Sequence, residues 1–190
     1  MARVCREAGA RVRYNAFLRD MNVGVPAADG RRIEVLAQGL PCFGGAQLAV
    51  DVTLRSALTA SGDAQPRAAD EDGAVVEQAR EDKENTYPEL VSSRRCQLVV
   101  VAVETGGRWS HETVAFVRQL ACARARDAPA YLRKSAELAW ARRWTRMLAN
   151  ACASAFAASL LEPRRELASF APAGGAAPSL AELLDGEPRG

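Results

Sequence analysis

The sequence predicts an α/β fold in which a small mixed sheet is flanked by helices and followed by a helical C-terminal extension. Three observations carry that expectation. Leu48 to Leu54 alternate apolar and polar side chains, with Leu48, Val50, Val52 and Leu54 on one face, which is the period of a half-buried strand. Cys96 to Glu104 is a continuous, β-branched apolar run of the kind that lies buried on both faces, and it is expected at the sheet centre. From Tyr131 to Leu161 the chain is rich in alanine and free of Gly and Pro, so it should form one long helix or two joined ones.

The remaining elements follow in order. Val12, Phe17, Leu18 and Met21 have spacings compatible with one helical face, which predicts a helix over 11–22. Gly24, Pro26, Asp29 and Gly30 mark a loop, and Arg32 to Ala37 reads as a short strand. Gly39, Pro41, Gly44 and Gly45 mark the next turn, so this strand and the one over 48–54 should form an antiparallel hairpin. Residues 60–72 lack large apolar side chains and form an acidic loop insertion. A helix over 72–86 ends before Tyr87-Pro88, because a proline disfavours helical backbone in the residue ahead of it. Gly106-Gly107 breaks the apolar run, and Ser110 is placed to cap a helix over 111–126. Asp127-Ala128-Pro129 then restarts a helix, and the tail beyond Pro163 offers only Ser179 to Leu184 as a short amphipathic turn. The expected organisation is therefore a domain over 1–126, a helical region over 127–162 and a flexible tail over 163–190.

Composition excludes several classes. A hydrophobic fraction of 48% with 25% charged residues is that of a folded domain rather than a disordered tail. The formal charge is only +2, so any nucleic-acid surface must come from local clustering. No stretch has the roughly 18 apolar residues of a membrane span, and the N-terminus lacks the apolar block of a signal peptide. No membrane partner and an intracellular setting are expected. The five cysteines stand singly without a Cys-x-x-Cys pair, which argues against a zinc knuckle. The single histidine, His111, makes a Ser/His/Asp triad improbable.

The informative chemistry lies in carboxylates and one lysine. Phosphodiester hydrolysis needs neighbouring carboxylates to hold Mg²⁺ and often a lysine to orient water and offset developing charge. Asp51 interrupts an apolar strand, where Asp is depleted. A solvent-facing strand edge would explain Asp51 equally well. Glu34 alternates with Ile33 and Val35 as a solvated strand residue would, and Lys83 sits in Glu81-Asp82-Lys83-Glu84, where an exposed helix face is the default. Glu104, at the end of the apolar run, is a weaker third carboxylate beside a plain Gly-Gly turn.

A basic surface is expected further on. Arg118, Arg124, Arg126, Arg133, Lys134, Arg142, Arg143 and Arg146 stand against Asp127 and Glu137, a local balance of +6 from eight minus two. Such a surface suits DNA phosphates. Trp140 and Trp144, one turn apart, are better suited to core packing than to base stacking. Asp63 to Glu84 holds eight acidic residues against three basic ones and should face away from DNA.

Taken together, Arg31-Arg32-Ile33-Glu34, the stretch from Gly45 to Thr53 with its Asp51-Val52-Thr53, Asp82-Lys83-Glu84-Asn85-Thr86-Tyr87, and Val99 to Trp109 resemble a known domain. It is the restriction-enzyme-like endonuclease domain of the PD-(D/E)XK class, found C-terminal to the reverse transcriptase of non-LTR retrotransposons, particularly in dinoflagellate genomes. The similarity runs over about residues 11–125, and Arg13-Tyr14-Asn15 resembles the family's basic-His-Asn element with Tyr14 in the histidine's place. The resemblance implies a restriction-endonuclease-like fold and metal-dependent nicking of double-stranded DNA in the nucleus. Asp51 matches the metal-binding aspartate, Lys83 the catalytic lysine carried on a helix, Thr53 the abandoned lysine position and Tyr87 the tyrosine near the active site. Glu34 falls where the Pro-Asp pair would be, as the second ligand of Mg²⁺ or Mn²⁺, and Ile33-Glu34 departs from that pair in lacking the proline. A zinc knuckle and a polymerase are absent, so the chain is expected to be a C-terminal piece whose partner is an upstream reverse transcriptase domain. A catalytically inactive nucleic-acid-binding or assembly module with the same fold is the alternative reading.

Overall fold

In the computed structural model, which describes residues 1–59 and 61–161, the chain is a mixed α/β protein built on one four-stranded sheet. Met1 to Phe156 form one compact unit, and of a second, Ala157 to Gly190, only the end of the last helix is described. The expected tail and its turn at Ser179 to Leu184 lie outside the described residues.

Helix α1 (Ala2–Glu7) opens the chain and buries Ala2, Val4 and Cys5. Strand β1 (Arg11–Phe17) follows where a helix is predicted over 11–22, and only one 3-10 turn, Leu18–Asp20, comes after it. The apolar spacing fits a helix, but the alternation of Arg11, Val12 and Arg13 fits a strand as well. Two facts decide it. Val12 packs in one hydrophobic cluster while Ala16, Leu18 and Met21 pack in another. Between them Asn15 takes a positive φ of 48°, a left-handed conformation that no helix interior accepts.

Strand β2 (Arg32–Gln38) pairs antiparallel with β1, and β3 (Gln47–Arg55) pairs antiparallel with β2, with Val35 opposite Val50 and Ala37 opposite Leu48. The predicted hairpin is therefore present. Helix α2 (Ala74–Thr86) and the short α3 (Pro88–Ser92) connect β3 to β4 (Cys96–Glu104), which runs parallel to it with Asp51 opposite Val100. Helices α4 (His111–Ala125) and α5 (Arg133–Leu161) complete the described chain, and α5 is one continuous helix of 29 residues. Ser110 caps α4 as its sequence suggests, its hydroxyl accepting the Thr113 N–H at 3.1 Å.

Strand order is β1-β2-β3-β4, so β4 stands at one edge and not at the predicted centre. Its apolar run answers to coverage of its two faces, not to strands on either side. Val99 and Val101 pack with Phe116, Val117, Leu120 and Trp144 of α4 and α5, whereas Val100 and Ala102 pack under Val76 and Ala79 of α2. The sheet thus separates two layers, α1, α4 and α5 on one side and α2 and α3 on the other.

The first layer is closed by a clasp between α1 and α5. Trp144 is fully buried, and its indole N–H donates to Glu7 at 2.9 Å while Arg143 and Arg3 also donate to the same carboxylate. These donors, Arg143 first and Trp144 next, hold the Glu7 carboxyl down at about 2.

Candidate active site at the opening of the sheet

Alternation along β3 fixes which way Asp51 points. Val50 and Val52 pack toward α4 and α5, Ala49 packs toward Tyr87 and Leu90, and Asp51 therefore faces the α2 layer. Helix α2 meets it there because Val76, Ala79 and Lys83 recur at helical spacing and share the face that lies on the sheet. Lys83 Nζ stands 2.9 Å from Asp51 Oδ1, and Asp51 is only 2% exposed. Oδ1 nevertheless accepts no aligned hydrogen bond, so the contact is an ion pair with a carboxylate oxygen still unsatisfied. A second ion pair, Arg55 to Asp82 at 2.7 Å, ties the same strand to the same helix at the residue before Lys83.

Glu34 occupies an interruption in the ladder. The pairing of β2 with β3 stops at Val35 and Val50, and the pairing of β1 with β2 skips Asn15 and Glu34. Continued by one step, both registers bring Asn15, Glu34 and Asp51 into one row across three strands. The left-handed Asn15 sits where the first ladder is skipped. Glu34 Oε2 takes over from the missing backbone acceptor and receives the Val52 N–H at 3.2 Å. Glu34 keeps a solvent-exposed surface, yet partial desolvation and then the Asp51 charge raise its pKa against the opposing pull of the Val52 N–H and Lys83.

Tyr87 closes the site from below. It follows α2 as its C-cap, outside the helix proper, with its N–H donating to the Lys83 carbonyl at 2.9 Å and its hydroxyl donating to the Arg32 carbonyl at 3.0 Å. Burial, followed by the Asp51 charge, pushes the phenol up to about 12. Glu34, Asp51, Lys83 and Tyr87 are therefore brought together. Arg31, for which the sequence predicts no role, also holds this corner. Its guanidinium donates to the Thr86 carbonyl at 2.5 Å, to Glu89 at 2.7 Å and to Asp29 at 2.6 Å, joining the β1–β2 loop to the end of α2. Nothing in local sequence marks it, because its partners lie up to 58 residues away.

Other residues do not join this site. Glu104, four residues along β4 from the partner of Asp51, approaches Arg108 at 3.9 Å instead. Thr53 is partly exposed on β3, and His111 is exposed at the start of α4. Among the described residues no group of three or more His, Cys, Asp or Glu converges on one point. The five cysteines are all free, and burial pushes the Cys5 and Cys96 thiols up to about 11.

The basic residues of α4 and α5 lie on elements that pack against the other face of the sheet from Asp51. Arg124 pairs with Asp127, Lys134 with Glu137 and Arg143 with Glu7, while Arg133 donates to the Ala128 carbonyl. Arg118, Arg126, Arg142 and Arg146 are exposed and have no ion pair among the described residues. Trp144 is core, and Trp140 stacks beside it at 5.3 Å with Arg124 over its ring. The acidic stretch lines a cleft of about 600 Å³ between α2 and the start of α4, with Asp72, Glu77, Glu81, Glu84 and Glu112 on its walls.

No helix among the described residues is long and apolar enough to cross a membrane. No protein-family model matches the chain, and no curated protein and no solved structure matches it.

Proposed function

We propose that this chain is a metal-dependent DNA endonuclease module of restriction-endonuclease-like fold, of the kind attached to retrotransposon reverse transcriptases. The observation that carries the reading is the buried Asp51 carboxylate, paired with Lys83 and set beside a second carboxylate held in place by a backbone N–H. A buried ion pair is weak support for stability, since well-packed apolar residues often do as well. Its position at an interruption of the sheet, beside a second carboxylate, argues for chemistry.

The donor set fits Mg²⁺ or Mn²⁺. Mg²⁺ is usually held by one or two carboxylates, with water and substrate phosphate completing the shell, and Asp51 and Glu34 supply that number. Bound there, the ion would polarise the scissile phosphate and lower the pKa of a water. The chain's own groups do the rest. Lys83 brings a positive charge to the carboxylates and is placed to offset negative charge on the phosphate as the bond breaks. Tyr87 stays protonated across the working range and fixes the β2 backbone at Arg32, two residues from Glu34. Double-stranded DNA is the substrate, an upstream reverse transcriptase domain the partner, and the nucleus the setting.

The test is conversion of supercoiled plasmid to nicked circle with Mg²⁺ or Mn²⁺ present. Nicking that disappears in Asp51→Ala and Lys83→Ala is the expected result. Unchanged rates in both variants would remove the assignment. A folded chain that binds DNA without nicking it would select the inactive binding module, a reading favoured by Lys83 already neutralising Asp51.

A further inference from the structure

If DNA reaches Asp51, the basic residues of α4 and α5 are poorly placed to hold it, because those helices cover the opposite face of the sheet. The phosphate-binding surface must come from elements nearer the opening. Strand β1 forms the sheet edge beside Glu34. Arg11 and Arg13 lie opposite Gln38 and Leu36, and Leu36 packs in the cluster that contains Tyr87, so both arginines project on the Asp51 side. They are exposed, with no ion pair among the described residues.

At the other end of the same strand Phe17 lies opposite Arg32, and the guanidiniums of Arg19 and Arg32 each stand 4.1 Å from its ring. Stacking of this kind fixes a guanidinium's plane while leaving its N–H fork free for an acceptor. Arg32 is exposed and has no carboxylate partner among the described residues, and Arg19 has Asp20 at 4.0 Å and the Ala27 carbonyl at 3.4 Å. The Arg32 backbone is also the one Tyr87 holds. Basic side chains on an edge strand can serve simply to prevent edge-to-edge pairing. That role does not call for two guanidiniums oriented on one ring at the end of the edge strand.

We propose that Arg11, Arg13, Arg19 and Arg32 form a basic rim around the β1 edge, Arg11 and Arg13 on the Asp51 side and the Arg19 and Arg32 pair on the other, that receives the phosphodiester backbone of double-stranded DNA and leads it over the edge to the Glu34 and Asp51 opening. This rests on the nuclease reading for the identity of the nucleic acid, but the binding surface is tested without cleavage. Four separated phosphate contacts on one edge set the register of the duplex, whereas sequence choice would come from elsewhere.

The experiment is fluorescence anisotropy of the full chain with a labelled DNA duplex in EDTA, over a series of salt concentrations. Arg11→Glu/Arg13→Glu and Arg19→Gln/Arg32→Gln are compared with Arg142→Glu/Arg146→Glu on α5, each checked for a cooperative melt. The edge variants should each weaken binding by about tenfold or more and lower the salt slope by about 2, one unit per lost phosphate contact. The α5 variant should change both far less. Unchanged affinity and slope in the edge variants would overturn the proposal, as would no binding by the unaltered chain, a loss confined to the α5 variant, or preference for an RNA duplex. Edge-dependent binding in a chain that does not nick plasmid would leave this surface standing while the nuclease reading falls. Nicking by a chain whose edge variants bind normally would do the reverse.

Discussion

Lys83 Nζ meets Asp51 Oδ1 at 2.9 Å across the gap between α2 and β3, with the carboxylate almost wholly withdrawn from water. Lys83→Met would leave that carboxylate without its counter-charge, at a cost of about 3 kcal/mol. The double variant Asp51→Asn/Lys83→Met should regain at least half of the loss, since an amide tolerates burial far better than a lone charge. Urea denaturation of the two single variants and the double measures the coupling. A double variant whose loss equals the sum of the two single losses would show the two side chains to be independent.

Glu34 separates fold from chemistry. Glu34→Gln keeps a side-chain oxygen for the Val52 N–H, whereas Glu34→Ala removes it. Hydrogen exchange at the Val52 amide should stay slow in the first and quicken in the second, by about tenfold for a bond worth about 1 kcal/mol or a little more. Nicking should be lost in both, because neither carries the second carboxylate.

The Tyr87 phenol should ionise late. Its pKa of about 12 lies above the usual value of 10. The sign follows from that ordering, so the contribution is complete below pH 10 and is lost as pH rises through about 12. A tyrosinate absorbance titration should therefore show one late step that vanishes in Tyr87→Phe. The same variant leaves the Arg32 carbonyl short of a donor and should cost about 1 kcal/mol in a thermal or urea melt.

Glu7 sets an acid limit on the clasp between α1 and α5. Its carboxyl is held at about 2 against an ordinary 4.5, so its contribution is present above about pH 4.5 and disappears as pH falls toward 2. Glu7→Ala strands the buried indole N–H of Trp144 and should destabilise by about 1 to 2 kcal/mol at neutral pH. Melts of both proteins between pH 6 and pH 2 should converge at the acid end. A gap that stays constant would mean the clasp does not titrate.

What the sequence makes legible is what local pattern encodes. Alternation over Leu48 to Leu54, the Ser110 cap, the proline after Tyr87 and the unbroken run to Leu161 all correspond to elements at or within a few residues of the expected bounds. The two misreadings have a common cause. Arg11 to Asn22 carries apolar spacings that serve a helix or a strand, and the choice is made by β2 pairing alongside it. The placing of β4 at the centre fails because the run over Val99 to Val103 reports burial by helices on both faces, which an edge strand can have as fully as an inner one. At the site, alternation could not decide whether Asp51 faced solvent or core, because that depends on α2 lying across it. The break in the ladder at Asn15 and Glu34, and the hold of Arg31 on Thr86, involve partners distant in sequence and left no local trace.

The clasp between Glu7 and Trp144 also dictates an order of assembly. The two residues are 137 positions apart, and strands β3 and β4 pair in parallel only after the whole segment between them has been laid down. On a ribosome, the opening helix must therefore wait for nearly the entire domain to emerge before its single glutamate finds the indole. Contacts of such long range slow folding. A nascent chain halted before residue 144 would expose the apolar underside of its sheet to chaperones and proteases, so the length of chain translated would act as the checkpoint for the native state.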